Sequence, residues 1–266
     1  MVSVSVSMNG QKVKMIGIIR HRLSTDGDGV TTLAAFHGCP LRCRHCLNPQ
    51  SLGYGDGFRE YTPEELYAET SIDNLYFLAT HGGVTFGGGE PCLYPKFICD
   101  FRKLCGPAWR INIETSLNVP GEWVKTLIPV VDTFIIDIKD MNPGIYRSYT
   151  GQANDLVAAN LRLIAGAGRQ GDCILRIPLI PGYNNDADRA ASRSALEELG
   201  FSRFDLFTYK IKSNDYGTGK TDMQDTERDS SADSRGQRYR VCNVGMPLQR
   251  RLPWHLPQVR GRGALP

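Results

Sequence analysis

The chain has 266 residues, 41% of them apolar and 22% charged, which is enough for a core the size of one α/β barrel or two small domains. Its formal charge of +3, the difference between 31 basic and 28 acidic residues, is too small a surplus to create a nucleic-acid or membrane surface by itself. No apolar run approaches the roughly 18 residues of a membrane span, and the opening MVSVSVSMNGQKVK lacks the apolar stretch of a secretion signal, so the expectation is a cytoplasmic protein with no membrane or nucleic-acid partner.

Residues 1–16 read as an N-terminal extension in which Met8 is an alternative start. The first β-rich run is TTLAAF (31–36), and it leads into HGCPLRCRHCLNP (37–49), with thiols at Cys39, Cys43 and Cys46. TPEELYAETSIDNLYFLA (62–79) opens with a threonine cap, a proline at the first helical position and glutamates in the first turn, which predicts one helix. GVTF (83–86) is the second strand, and GGGEP follows it. A helix is expected over PKFICDFRKLC (95–105), then the strand RINIE (110–114) ending in TSLN. GEWVKTLIPV (121–130) predicts a helix, and TFIIDI (133–138) a strand that runs into KDMNP. After the helix ANDLVAANLRLIAGAG (153–168) come the strand CILRIPL (173–179), the loop IPGYNND and the helix NDADRAASRSALEELG (185–200). FDLFTY (204–209) is the sixth strand, followed by KIKSND.

Strand and helix alternate, which implies parallel strands joined by right-handed crossovers, in a β/α barrel or a doubly wound sheet. Ligands collect at the carboxyl ends of such strands, and the polar and glycine-rich clusters fall there after all six runs. From Ser213 to Arg240 there is no Val, Ile, Leu, Phe, Trp or Cys, so residues 211–266 are expected to form a tail of low order.

Eight cysteines without a secretion signal point to reduced thiols rather than a disulfide framework. Cys99, Cys105 and Cys173 read as buried free thiols. The triplet Cys39-x3-Cys43-x2-Cys46 differs, because closely spaced thiolates converge on a soft metal centre. Three thiolates suit a four-iron cluster with one iron left open, whereas a structural zinc would be closed by a fourth ligand such as His45 or His37. In TFGGGEPCLYP (85–95) the glycines allow backbone to approach a ligand closely, and Glu90 adds an acceptor suited to an amine.

The CxxxCxxC triplet followed by GGE resembles the radical S-adenosylmethionine enzymes, in particular the pyruvate formate-lyase-activating enzymes and related activases of glycyl radical enzymes. The resemblance runs from about residue 17 to 210 through TDGDGV, FHGCPLRCRHCLNP, VTFGGGEP, IETS, DTFIIDIKDMNP, YTG, RIPLIPGYN and FTY. It implies a partial (β/α)6 barrel over residues 17–210 in which Cys39, Cys43 and Cys46 bind a 4Fe-4S cluster whose open iron chelates S-adenosylmethionine. By residue match, Gly88, Gly89 and Glu90 would hold the methionine amine, and His45 and Leu47 would lie along the adenine. Asp137, Ile138 and Lys139 would contact the cofactor from the fourth strand, Glu114 and Thr115 would lie near the methionine carboxylate, and Arg176 would be a strand-end arginine of the active site. Asp26 would stand where a partner loop approaches. The implied protein substrate is a glycyl radical enzyme, and the implied reductant is a low-potential carrier such as flavodoxin or ferredoxin.

Asp28 and Thr31 stand where the family has proline and arginine, IETSLN replaces an Asp-Thr-Asn-Gly stretch, and Lys210 replaces a histidine. These departures keep two other readings open: a radical enzyme acting on a peptide or small molecule, and a zinc or iron–sulfur module without catalysis. Asp137 with Lys139, and Arg176 with a barrel carboxylate, could equally be structural ion pairs.

Overall fold

The computed structural model describes residues 12–23, 25–53 and 57–209. The expected tail, together with Lys210 and Cys242, lies outside them.

Six strands run parallel in the order of the chain: β2 (Val30–Phe36), β4 (Gly83–Gly88), β5 (Arg110–Thr115), β6 (Thr133–Asp137), β7 (Cys173–Leu179) and β8 (Phe204–Thr208). They coincide with the six expected runs and form the partial (β/α)6 barrel. Two further strands extend the sheet antiparallel at the β2 edge: β1 (Val13–Leu23) pairs with β2, and β3 (Arg59–Tyr61) pairs with β1. β1 takes in residues 13–16, which sequence reasoning assigned to the extension. Val13 and Met15 are buried on either side of exposed Lys14, an alternation that only pairing with a neighbour makes stable.

The helices are α1 (Pro63–Thr70), α2 (Asn74–Thr80), α3 (Pro95–Cys105), α4 (Gly121–Leu127), α5 (Pro143–Thr150), α6 (Asp155–Gly166) and α7 (Asp186–Glu197). The single helix expected over 62–79 is broken by a 3-10 turn at Ser71–Asp73. That turn directs Asp73 inward, where its carboxylate accepts from Thr32 Oγ1 at 2.8 Å and pairs with Arg20 and His21. α4 stops at Leu127 rather than Val130 because Pro129 supplies no N–H and disfavours helix in the residue before it. α5 was not foreseen; its Asn142 cap accepts from the N–H groups of Gly144 and Ile145, and Gly151 in the left-handed region ends it.

The main core lies between the sheet and the helices, with Phe36, Phe86, Phe97, Phe101, Ile111 and Phe134 almost wholly enclosed. A separate small cluster of Tyr149, Ile180 and Tyr209 packs against Cys43, Tyr183 and Phe207. Cys105 and Cys173 are buried as expected, while Cys99 on α3 is only half-buried.

Candidate cofactor site

The loop after β2 carries Cys39, Cys43 and Cys46, and the neighbouring elements tether it from several directions. Gly38 N–H donates to Ser51 at 2.8 Å, while Gly89 N–H and Glu90 N–H reach back to the carbonyls of Phe36 and Gly38 at 2.8 and 2.7 Å. On the other flank, Arg42 N–H and Arg44 N–H donate to Thr150 and Tyr149 at the end of α5, at 2.9 and 3.1 Å. Asn48 Nδ2 donates to the Gly88 carbonyl at 3.1 Å.

The glycines after β4 are required by this proximity. Gly88 has φ +86°, and a Cβ on it would stand 2.7 Å from the Ala35 Cβ. A Cβ on Gly89 would overlap the Gly38 carbonyl oxygen in the cysteine loop. Both positions hold the end of β4 flat against the thiol loop.

Glu90, 1% exposed, is surrounded by donors. Its Oε1 accepts from Cys92 N–H at 3.1 Å and Thr115 Oγ1 at 2.7 Å, and its Oε2 accepts from Ser116 N–H at 2.9 Å and Ser116 Oγ at 2.6 Å. The carboxylate thus joins the end of β4 to the end of β5 and meets four protein donors. Ser116 was not singled out from sequence; a hydroxyl beside a strand-end acid carries no signal until the strands are paired.

Burial pushes the Cys39 thiol up to about 12, with the Glu90 carboxylate adding to the effect. Burial also raises Cys43; the Lys139 ammonium opposes this, and Asp137 and Cys46 reinforce it. The thiols therefore lie within electrostatic reach of one another, between Glu90 at the end of β4 and the Asp137–Lys139 pair at the end of β6. Among the described residues, no group of three or more His, Cys, Asp or Glu side chains converges on a single-ion position. Three thiolates suit an iron–sulfur cube, where each takes a different corner.

Asp137 and Lys139 form an ion pair, and Lys139 Nζ also donates to the Tyr209 hydroxyl at 3.1 Å. Burial works against the Lys139 charge, but Asp137, followed by Tyr209 and Cys43, outweighs it and holds the ammonium above its ordinary range. Asp137 Oδ1, His45 Nε2 and the Tyr149 hydroxyl are buried without a hydrogen-bond partner. His45, Tyr149 and Tyr183 are mutually close, with ring centroids 5.1 to 5.9 Å apart. Buried polar atoms without partners are uncommon, and those lining a site are the atoms a polar ligand satisfies. Beside the thiols, an acceptor, a hydroxyl and an imidazole fit a cofactor with both polar and aromatic parts. Tyr149, Tyr183 and Tyr209 were not named as site residues from sequence, since strand and helix periodicity says nothing of which loops meet.

A second polar group lies within the strands. Arg176 on β7 donates to Glu114 Oε1 at 2.6 Å and the Thr25 carbonyl at 2.6 Å, and pairs with Asp205 at 3.6 Å. Burial works against its charge, and Glu114, then Asp137 and Asp26, more than offset that, so the guanidinium is held above its ordinary range. Asp26 is 1% exposed, pairs with Arg22 at 2.6 Å, and its carbonyl accepts from Thr85 Oγ1 and from Asn112 Nδ2. The structure thus places Asp26 and Glu114 near Arg176. Thr115 is committed to Glu90, Ile138 is buried with its N–H donating to the Arg176 carbonyl at 2.9 Å, and Leu47 is 44% exposed.

Residues 34–193 match the Radical SAM superfamily. The chain belongs to that superfamily. Radical SAM proteins use a 4Fe-4S cluster and S-adenosylmethionine, and the three thiols and the unpartnered polar atoms beside them suit those groups. Among curated relatives, the (2S)-3-sulfopropanediol dehydratase activating enzyme of Klebsiella oxytoca is 34% identical over 165 residues, which are 59% of this chain and 51% of the relative. The pyruvate formate-lyase-activating enzyme of Clostridium pasteurianum is 35% identical over 130 residues, 48% of this chain and 53% of the relative. The chain thus spans about half the length of these relatives. Streptococcus suis SuiB, solved with bound S-adenosylmethionine, shares the fold with a TM-score of 0.53 at 14% identity, covering 66% of this chain and 39% of that one. No described helix is long and apolar enough to cross a membrane.

Proposed function

We propose that the protein activates a glycyl radical enzyme in the cytoplasm, drawing one electron from a low-potential carrier such as flavodoxin or ferredoxin. The observation that carries the reading is the tethering of the loop of Cys39, Cys43 and Cys46 between the ends of β4 and α5, beside buried polar atoms without a hydrogen-bond partner. The activating-enzyme names of the relatives support the choice of partner. When bound, the reduced cluster and S-adenosylmethionine supply a 5′-deoxyadenosyl radical, which takes a hydrogen atom from a glycine of the partner.

The chain's residues would bind and enclose this chemistry. The thiolates of Cys39, Cys43 and Cys46 would ligate the cluster. Gly88 and Gly89 would contact the methionine end through their backbone, which Glu90 ties to β5. Asp137 Oδ1, His45 and Tyr149 would take the nucleoside side, with Asp137 held in its ion pair with Lys139. Ile180, Tyr183 and Tyr209 exclude water from the same space. Arg176, braced by Glu114 and Asp205, would face the substrate, with Asp26 near it.

The test is anaerobic reconstitution. Wild-type protein should take up about four irons on its three thiolates, and on reduction with dithionite it should release 5′-deoxyadenosine from S-adenosylmethionine. Cys43→Ala should lose the cluster; a full cluster in that variant refutes the ligand set. Adding candidate glycyl radical enzymes should produce a glycine-centred radical by electron paramagnetic resonance. Nucleoside release without any such radical would favour a peptide or small-molecule substrate instead.

A further inference from the structure

An electron must reach the thiol loop from outside, and the surface over that loop has a distinctive charge pattern. Segments 37–53 and 142–152 carry Arg42, Arg44 and Arg147 and no acidic residue. The backbone bonds of Arg42 and Arg44 to Thr150 and Tyr149 bring the loop against the last turn of α5, which also holds Arg147. All three arginines are exposed. Arg42 spends one nitrogen on the carbonyls of Cys39 and Leu41, at 2.8 and 2.9 Å. Among the described residues, the guanidinium groups of Arg44 and Arg147 have no carboxylate partner, whereas Arg20, Arg59, Arg102, Arg169, Arg189 and Arg193 each have one. Exposed Leu47 adds an apolar spot beside this set.

We infer that Arg42, Arg44 and Arg147 form the docking face for an acidic one-electron carrier protein. The inference rests on the proposed function, because it requires a cluster on the thiols. Unpaired cations around an apolar spot attract a partner with the opposite rim and orient it during encounter. Arg42 and Arg44 flank Cys43 in the chain, so a carrier seated on them lies against the thiol loop. In the transfer, the reduced carrier loses one electron and the cluster gains one, with no proton or bond exchanged. Small, weak interfaces of this kind suit carriers that must leave after each turnover.

The test compares wild-type protein with the double charge reversal Arg44→Glu/Arg147→Glu and with Arg162→Glu, an exposed position on α6 that serves as a charge control. Flavodoxin and an acidic ferredoxin are the probes. Binding of the oxidised carriers is titrated at low and high salt, and 5′-deoxyadenosine release is driven either by the reduced carriers or by dithionite. Carrier binding and carrier-driven release should fall about tenfold or more in the double variant at low salt, with the salt dependence largely lost. Dithionite-driven release and the Arg162→Glu control should be unchanged.

Equal carrier affinity and rate in wild type and double variant would overturn the inference, as would a wild type that binds neither carrier. A normal carrier response with a loss of partner glycyl radical under dithionite would also overturn it, assigning the face to the glycyl radical enzyme. Failure of the proposed function shows differently: wild-type protein then releases no nucleoside even with dithionite.

Discussion

Replacing Glu90 separates a structural role from a ligand role at the centre of the site. In Glu90→Ala, four donors lose a carboxylate acceptor: Cys92 N–H, the Thr115 hydroxyl, and the N–H and hydroxyl of Ser116. Hydrogen bonds to a charged group contribute about 1.5–3 kcal/mol each, and a stranded buried donor costs about 1–3 kcal/mol. Ser116 is partly exposed, so water can replace its two bonds, whereas Cys92 and Thr115 are buried. The expected loss is therefore about 3–5 kcal/mol, a large share of the roughly 5–15 kcal/mol that holds a domain together. Glu90→Gln keeps one oxygen and the shape but turns an NH2 toward two donors, and should lose about 2 kcal/mol. Urea unfolding of the purified protein, followed by tryptophan fluorescence, measures both. A Glu90→Ala variant within about 1 kcal/mol of wild type, the size of one ordinary hydrogen bond, would refute the pinning role. If S-adenosylmethionine affinity alone fell, the carboxylate would belong to the cofactor.

The same reasoning yields further expectations elsewhere in the fold. Gly89→Ala should displace the cysteine loop from the end of β4 and cut iron uptake, because its Cβ overlaps the Gly38 carbonyl; Gly168→Ala, where φ is +71° but nothing lies within 4 Å, should cost about 1 kcal/mol and leave iron content unchanged. Arg102 donates to the carbonyls of Val130, Gly106 and Trp109 and pairs with Asp132, so Arg102→Ala should lose about 3 kcal/mol in urea unfolding. Lysine should not rescue it, since one ammonium cannot reproduce the fork. The bonds from Lys103 and Lys96 hold the Asp100 carboxyl below its ordinary 3.8, so its contribution is present above that value and is lost as pH falls through the folded one. Asp100→Asn should therefore cost a few tenths of a kcal/mol near neutral pH in low salt, with the difference shrinking in urea midpoints measured toward pH 3.

What the sequence determined by itself was the set of local patterns whose meaning does not depend on a partner. Five of the six apolar runs became parallel strands buried along most of their length, as strands covered on both faces must be apolar, while β8 is only partly covered. The thiol triplet and the GGE stretch were legible for the same reason, since their spacing along the chain already brings their own atoms together. β1 and the break between α1 and α2 escaped because each depends on a distant contact: β1 on its pairing with β2, and the turn at Asp73 on Thr32, Arg20 and His21.

Only the tertiary structure decided how the candidate site residues are grouped. Asp26, Glu114, Arg176 and Asp205 come together from four separate parts of the chain, and Glu90 meets three of its four donors only when the ends of β4 and β5 lie side by side. A charged side chain reads alike along the chain whether it will face a ligand, an ion pair or water. Burial removes the water, and the partner that remains within hydrogen-bonding distance then determines which of these roles it takes.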